Sequence, residues 1–169
     1  MNTTENTETI SREGDTHREL KDFIAERPFL SGLSEQYQKT LLDCAMLQQF
    51  AQGEKIFHEG DPANRFYLIL DGEVALESEG ADSGPIHIQT LRSGDVLGWS
   101  WLFPPYYWHF SARATKPTKA IFFYGTRLRH ICEEDTAFGY ELMKRIAGVV
   151  IDRLQATRKE LLELAKRQH

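Results

Sequence analysis

The sequence lacks the features that mark metal clusters, membrane spans and exported proteins. Cys44 and Cys132 are its only cysteines, and two thiols are too few to hold an iron–sulfur cluster unaided. No apolar run approaches the roughly 18 residues that a bilayer span needs, and the N-terminus has neither the basic start nor the apolar stretch of a signal peptide. We therefore expect a cytoplasmic protein with two free, buried thiols.

Clustered histidines and an excess of positive charge are also missing. His58, His87, His109 and His130 occur singly, without the His-x-His pair that is typical of cupin metal sites. No Ser–His–Asp or Cys–His arrangement can be argued, so we expect no enzyme, metal or cofactor, and a cupin-like metalloenzyme is the alternative of another class. A lone histidine in a strand is equally weak support for haem. The net charge of −5 argues against a broad surface for nucleic acid.

The composition suits one globular domain with an appendage. Hydrophobic residues make up 41% of the chain and charged residues 27%, which is ordinary for a globular protein. Residues 1–17 contain only Met1 and Ile10 as sizeable apolar groups, too few to offset the entropy lost on ordering. We predict a flexible tail over residues 1–17 and a single domain over residues 18–169.

Two short helices are predicted ahead of the strands. Leu20, Phe23 and Ile24 recur at helical spacing, and Pro28 ends that helix. Ser34 is expected to cap a second helix, because acidic and amide side chains follow in its first turn. The apolar stripe of the second helix comprises Leu33, Tyr37, Leu41, Leu42, Ala45 and Met46.

The region from residue 48 to about residue 127 has the pattern of strands. Short apolar runs are separated by glycine-containing turns throughout it. Asp71-Gly72 between two such runs predicts a two-residue hairpin, because that turn needs positive φ at its central positions. Turns this frequent indicate a small antiparallel barrel or jelly roll.

A long C-terminal helix is predicted from about Asp135 to Ala165. Apolar residues recur there every three or four positions, and the helix would span ~45 Å at about 1.5 Å per residue. The apolar residues of its far half, which little remaining chain can cover, are Leu154, Leu161, Leu162 and Leu164. We expect this half to pair with its counterpart in a homodimer. The alternatives are that it folds back on the barrel or that it docks another protein.

Four glycine-containing motifs occur in a fixed order along the chain. They are residues 29–34 (FLSGLS), 53–61 (GEKIFHEGD), 66–74 (FYLILDGEV) and 94–98 (GDVLG). Together with the helices at both ends, they resemble the cyclic-nucleotide-binding domain, specifically the sensory half of Crp/Fnr-type regulators. The resemblance covers about Phe29 to Lys166. It implies an α+β, mainly β fold: an antiparallel jelly-roll or double-stranded β-helix barrel with N-terminal helices and a long C-terminal helix.

The fourth motif opens the segment in which the chain departs from this family. In nucleotide-binding members, a Glu after the last glycine accepts a hydrogen bond from the ribose, and a later Arg neutralises the cyclic phosphate. Here Trp99 occupies the Glu position, and the Arg position falls on Trp108 or His109. Seven of the twelve residues from 99 to 110 are aromatic. Loss of both polar groups would weaken the binding of a cyclic nucleotide by ~10³-fold or more.

The resemblance therefore implies a stand-alone sensory or regulatory domain with a degenerate phosphate-binding cassette, which binds a non-standard ligand or none. The aromatic residues either line an open pocket or fill the barrel. Genuine binding of cAMP or cGMP would need His109 or Arg113 for its positive charge, and Arg113 faces either into the barrel or away from it. The candidate pocket residues are Gly98, Trp99, Ser100, Trp101, Leu102, Trp108, His109, Phe110, Ser111, Arg113, Thr157 and Arg158.

The last two candidates come from the long helix. Residues 153–158 resemble the segment that reaches over the nucleotide base in dimeric relatives, and a surface stretch of dimer helix is the alternative. Relatives that act as transcription factors carry a helix-turn-helix domain after this helix. Because the chain ends at His169, we expect no direct DNA binding. No membrane partner is expected either.

Overall fold

The structure, a computed structural model, describes residues 17–23, 26–80 and 82–168. Except for His17, the predicted tail lies outside the described residues, and so does Ile24 of the first predicted helix. In the described ranges, no helix is both long enough and apolar enough to cross a membrane.

The N-terminal helices are α1 over residues 17–23 and α2 over Glu35–Leu42. The Ser34 hydroxyl accepts a hydrogen bond of 3.3 Å from a backbone amide in the first turn of α2, so it is the predicted cap. Ala45 and Met46, expected on the helical stripe, belong instead to the first strand. Their helical spacing is overridden because this segment pairs with the last strand of the sheet.

Eight strands form two four-stranded antiparallel sheets. The strands are β1 (Ala45–Phe50), β2 (Lys55–Phe57), β3 (Arg65–Asp71), β4 (Glu73–Ser78), β5 (Ile86–Arg92), β6 (Val96–Leu97), β7 (Ser111–Ala114) and β8 (Thr118–Tyr124). Sheet I has the order β1-β8-β3-β6, and sheet II has the order β2-β7-β4-β5. The mainly-β jelly-roll class is confirmed, although among the described residues hydrogen bonding runs within each sheet and closes no barrel.

The turn at Asp71-Gly72 is a corner between the two sheets, so the predicted hairpin is wrong. β3 ends in sheet I and β4 begins in sheet II, and the two strands are not hydrogen-bonded neighbours. Gly72 has a φ of +105°, and a Cβ there would lie 2.5 Å from Thr118 Oγ1. Glycine is required at this turn, but the close approach of β8 directs the chain into the opposite sheet.

The sheets and helices enclose two apolar cores. The sandwich interior, between the sheets, includes Phe57, Tyr67, Ile69, Val74, Leu76, Leu97, Trp108, Ala112, Ala114 and Phe122. The helix-side core, between the helices and the other face of sheet I, includes Leu30, Leu41, Phe66, Leu68, Trp101, Phe123, Phe138, Leu142 and Ile146. The aromatic run after Gly98 therefore supplies one buried tryptophan to each core, and the half-buried Trp99 packs against the helix-side core.

β8 is joined to the long helix by a further helix, which the sequence pattern did not indicate. This helix, α3, spans Gly125–Glu134, where strand was predicted to about residue 127. Its first residue is packed so closely that a Cβ on Gly125 would lie 2.9 Å from the Trp101 side chain. Cys44 is buried as expected, but Cys132 on α3 is only half-buried.

The long helix α4 spans Thr136–Arg167, close to the prediction. The Asp135 carboxylate caps it by accepting a hydrogen bond of 3.0 Å from the Phe138 amide. The first half of α4 packs on the helix-side core, whereas Leu154 and Leu161 in the second half are 63% and 66% exposed. Arg153 contacts β5 and β6, but the apolar residues beyond it in the second half are not covered by the sheets.

Candidate functional site

The segment between β6 and β7 contains most of the predicted pocket residues. It begins at Gly98, which has a φ of +91°, and continues through a short 3₁₀ turn over Ser100–Leu102. A Cβ on Gly98 would lie 2.7 Å from Trp108 Cζ3. The backbone at Gly98 can adopt its position only because this residue has no side chain. Glycine is therefore required at position 98 for the Trp108 ring to pack where it does.

Trp108 fills the sandwich interior at the cassette. Its ring is buried and stacks on Phe57 with 3.8 Å between ring centroids and 9° between planes. The cavity that remains beside it has a volume of about 10 Å³. That volume is near the minimum for one water molecule, whereas ligand pockets measure roughly 300–1,000 Å³. The residues that line the cavity are Phe57, Leu76, Gly98, Trp99, Ser100, Trp108, His109, Phe110 and Arg153.

Two of the polar residues at this cavity, Ser100 and His109, are already paired with each other. The buried Ser100 Oγ lies 2.9 Å from His109 Nδ1, within hydrogen-bond distance. The His109 ring stacks on Trp99 with 4.5 Å between centroids. Trp99 also meets Phe103 edge to face, so the indole at the expected Glu position is held by aromatic contacts.

Trp101 and Leu102 lie on the other side of sheet I. Trp101 is fully buried in the helix-side core and stacks on Phe66 with 5.1 Å between centroids. The Trp101 carbonyl accepts a hydrogen bond of 3.0 Å from Arg129. Leu102 packs against the same core. The structure therefore does not bring these two candidates to the cassette cavity.

Arg113 and Ser111 face away from the sandwich interior. Arg113 alternates along β7 with Ala112 and Ala114, which are both interior, and its guanidinium forms an ion pair of 2.5 Å with Glu77. The hydrogen bond to Glu77 raises the pKa of Arg113. The Ser111 hydroxyl donates to Glu79 Oε1 at 2.8 Å. Of the two orientations left open for Arg113, the structure has the outward one.

Arg153 is the cavity residue that sequence reasoning did not include. It is only 6% exposed, and its Nη1 and Nη2 donate to Gln89 Oε1 at 2.8 Å and to the Val96 carbonyl at 2.5 Å. Burial lowers the pKa of Arg153. One signal was available: position 153 continues the stripe of α4 that includes Leu142 and Ile146.

The two candidates from the end of α4 do not line the cassette cavity. Thr157 donates its hydroxyl to the Arg153 carbonyl of its own helix at 2.9 Å, and the Arg158 side chain is exposed. In the described part of the chain, no group of three or more His, Cys, Asp or Glu residues could hold a metal ion. The chemistry available at the cassette is therefore aromatic packing around one buried guanidinium.

The sequence profile described as "Cyclic nucleotide-binding domain" matches residues 47–135, which is more than half of the chain. The chain belongs to the cyclic nucleotide-binding domain family. A cyclic nucleotide-binding protein from Geobacter metallireducens is 31% identical, with a TM-score of 0.69 over 76% of this chain and 92% of that one. The resemblance to Crp/Fnr-type sensory domains is thus confirmed at the level of the family.

Other relatives of this cyclic nucleotide-binding domain are larger proteins, of which this chain covers only a part. A cAMP-dependent protein kinase regulatory subunit of Hypocrea atroviridis is 36% identical over 81 residues, which is 48% of this chain and 16% of that protein. The regulatory subunit of a cAMP-independent protein kinase A from Trypanosoma brucei is 19% identical, with a TM-score of 0.68 over 90% of this chain and 53% of that one. The latter likeness shows a shared fold.

Proposed function

We propose that this cyclic nucleotide-binding domain is a non-catalytic regulatory domain whose cassette is filled by its own aromatic side chains and does not bind cAMP or cGMP. The observation that carries the proposal is the packing of Trp108 over Gly98, which leaves about 10 Å³ beside the ring. A nucleotide would have to displace this ring from the sandwich interior. Removal of a Trp from a core costs about 3–5 kcal/mol.

The charges around the cassette also oppose a cyclic phosphate. Arg113 is committed to Glu77 on the outer face, and both Nη atoms of Arg153 already have acceptors. His109 contacts Ser100 through Nδ1. A phosphate placed here would lack a free cation, and each missing charge-assisted hydrogen bond costs ~1.5–3 kcal/mol. The Trypanosoma brucei relative belongs to a cAMP-independent kinase, which agrees with a regulatory fold that does not require cAMP.

Calorimetric titration with cAMP and cGMP tests this proposal. For the wild-type chain we expect no saturable heat up to about 1 mM nucleotide, which corresponds to a binding free energy weaker than about −4 kcal/mol. Micromolar binding that disappears in Arg113→Gln or His109→Gln would overturn the proposal in favour of genuine cyclic nucleotide binding. Trp99→Glu combined with Trp108→Arg restores both expected polar groups and should gain affinity. Trp108→Ala, which adds space without charge, is its matched control.

We also propose that the second half of α4 forms a parallel homodimer. Tyr140, Met143, Leu154, Leu161 and Leu164 are all between 39% and 66% exposed. They all fit one face of α4 on which positions alternate by three and four residues, the pattern of a coiled-coil seam, and the positions between them are Ala147, Val150 and Thr157. Thr157 occupies a position of the same seam, so its hydroxyl would lie at the interface.

Light scattering after size exclusion measures the oligomeric state. We expect a dimer for the wild-type chain and a monomer for Leu154→Asp, because a buried carboxylate at the seam would meet its own copy. Gln155→Asp is the matched control: it adds the same charge at the next position, off the seam, and should stay dimeric. A monomeric wild-type chain would contradict the homodimer and favour a different protein as the partner of this face.

A further inference from the structure

A second and larger cavity lies along α4, at the opposite end of β6 from the cassette. Residues 94–96 form its floor, Pro28 and Phe29 form one wall, and α4 from Lys144 to Lys159 forms the other. Its volume is about 710 Å³, within the roughly 300–1,000 Å³ of small-molecule sites. We refer to it as the α4 groove. None of its lining residues is one of the aromatic residues that fill the cassette.

Two half-buried arginines stand at the Pro28 end of the α4 groove. Arg145 lines it and donates from Nη1 to the Phe29 carbonyl at 2.6 Å. Arg27 lies beside it, because a Cβ on Gly94 would be 3.1 Å from Arg27 Nη1. Arg27 also lies over the Phe23 ring at 4.4 Å.

Neither arginine has an anionic partner among the described residues, although Arg27 Nη2 donates to Ser93 Oγ at 3.2 Å. The Nε atoms of Arg27 and Arg145 are buried and have no hydrogen-bond acceptor among the described residues. A guanidinium that is taken from water without an anionic partner is costly, so a bound anion would stabilise both.

The remaining charges of the groove leave this end positive. Its lining carboxylates, Asp95 and Asp152, are matched in number by Arg153 and Lys159, and both carboxylates act electrostatically on Arg153. Lys144 is engaged by Glu141 at 3.2 Å. The surplus of positive charge is therefore concentrated at the two arginines, and apolar walls adjoin it.

We propose that the α4 groove is a binding site for a small amphiphilic anion. The ligand would place a phosphate, sulfonate or carboxylate against Arg145 and Arg27, and an aromatic or aliphatic body against Phe29, Val96 and Val149. Such a ligand contacts α4, the turn before β6 and the chain after α1 together, so its binding stabilises the docked position of α4. Arg153 lines both cavities, but neither arginine of the proposed anion site lines the cassette cavity, and the test does not depend on whether the cassette binds a nucleotide.

Two fluorescent probes with the same aromatic body test the proposal on the full chain. Anilinonaphthalene sulfonate carries an anionic group, and phenylnaphthylamine is its neutral counterpart. We expect the sulfonate to bind the wild-type chain saturably, in competition with inorganic pyrophosphate. Arg145→Gln should weaken binding of the sulfonate roughly tenfold and leave the neutral probe unchanged. Arg158→Gln removes an exposed arginine of the same helix outside the groove and should change neither.

A steric variant makes the test independent of the Arg145 hydrogen bond. Gly148 lines the groove on α4, and a Cβ there meets no atom within 4 Å. Gly148→Leu should therefore fill the groove, abolish binding of both probes and raise the melting temperature, because leucine favours helix over glycine. Unchanged sulfonate binding in Gly148→Leu would overturn the site. An equal loss of both probes in Arg145→Gln would overturn its preference for anions.

Discussion

Replacement of Gly98 by alanine tests the contact on which the filled cassette depends. The substitution has two costs. The φ of +91° is unfavourable for any residue with a Cβ, by roughly 1–2 kcal/mol. In addition, the new methyl group would lie 2.7 Å from Trp108 Cζ3 and 3.1 Å from Cη2, an overpacking that costs about 1–3 kcal/mol. We expect Gly98→Ala to lower the free energy of unfolding by about 2–5 kcal/mol.

Gly53 provides the matched control for the backbone cost. It has a φ of +86°, and a Cβ there meets nothing within 4 Å. Gly53→Ala should lower the free energy of unfolding by only about 1–2 kcal/mol, since the crowding is missing. Urea denaturation monitored by far-UV circular dichroism measures both losses, because at a common dependence of the unfolding free energy on urea the shift in the midpoint concentration is proportional to the change in stability.

A double substitution assigns the extra cost to the indole ring. Trp108→Leu shortens the side chain that faces Gly98, so Gly98→Ala should cost less in that background than in the wild type. The difference, an interaction energy of about 1–3 kcal/mol, isolates the contact between the two residues. Two results would show that the Trp108 ring does not lie against the Gly98 backbone and would refute the filled cassette. One is equal destabilisation by Gly98→Ala and Gly53→Ala. The other is an equal cost of Gly98→Ala in the wild type and in Trp108→Leu.

Two further predictions concern the outer face of sheet II and the thiol of α3. Arg113→Ala should destabilise the chain by about 1–3 kcal/mol, because it leaves the buried Glu77 carboxylate unpaired. The double variant Arg113→Ala, Glu77→Gln should recover part of that loss when both are measured by urea denaturation. If the double variant recovers nothing, the pairing of Arg113 with Glu77 is refuted. Burial raises the pKa of Cys132 from 9.0 to about 11, so the thiol is neutral in the folded chain over a range where the unfolded chain ionises. The free energy of unfolding should therefore fall as pH rises from 9.0 to about 11, and this fall should be smaller in Cys132→Ala; identical pH profiles would contradict the shift.

The elements that sequence patterns located well are those whose signals are local. The Ser34 cap, the period of α4 and the glycine-containing turns each depend on a few neighbouring residues. Such signals persist whatever the rest of the chain does, which is why the order of helices and strands was predictable except for α3. The family resemblance rested on the same local motifs.

The errors arose where segments remote in sequence meet. The corner at Gly72 has the local chemistry of a hairpin, but contact with Thr118 sends β4 into the other sheet. Residues 45 and 46 fit a helical stripe and nevertheless pair with β8. α3 was missed because its start, at Gly125, is packed against Trp101 from another part of the chain.

For the candidate site, residue types alone established that the usual Glu and Arg are replaced and that aromatic rings dominate the cassette. They could not assign each ring to a core: Trp101 and Trp108 belong to one run, yet they enter opposite sides of sheet I because Gly125 and Gly98 leave room for them there. Residue types also could not predict that Arg113 faces outward or that a guanidinium from α4 reaches the cassette. Those placements depend on strand register and helix docking, which join parts of the chain that share no local signal.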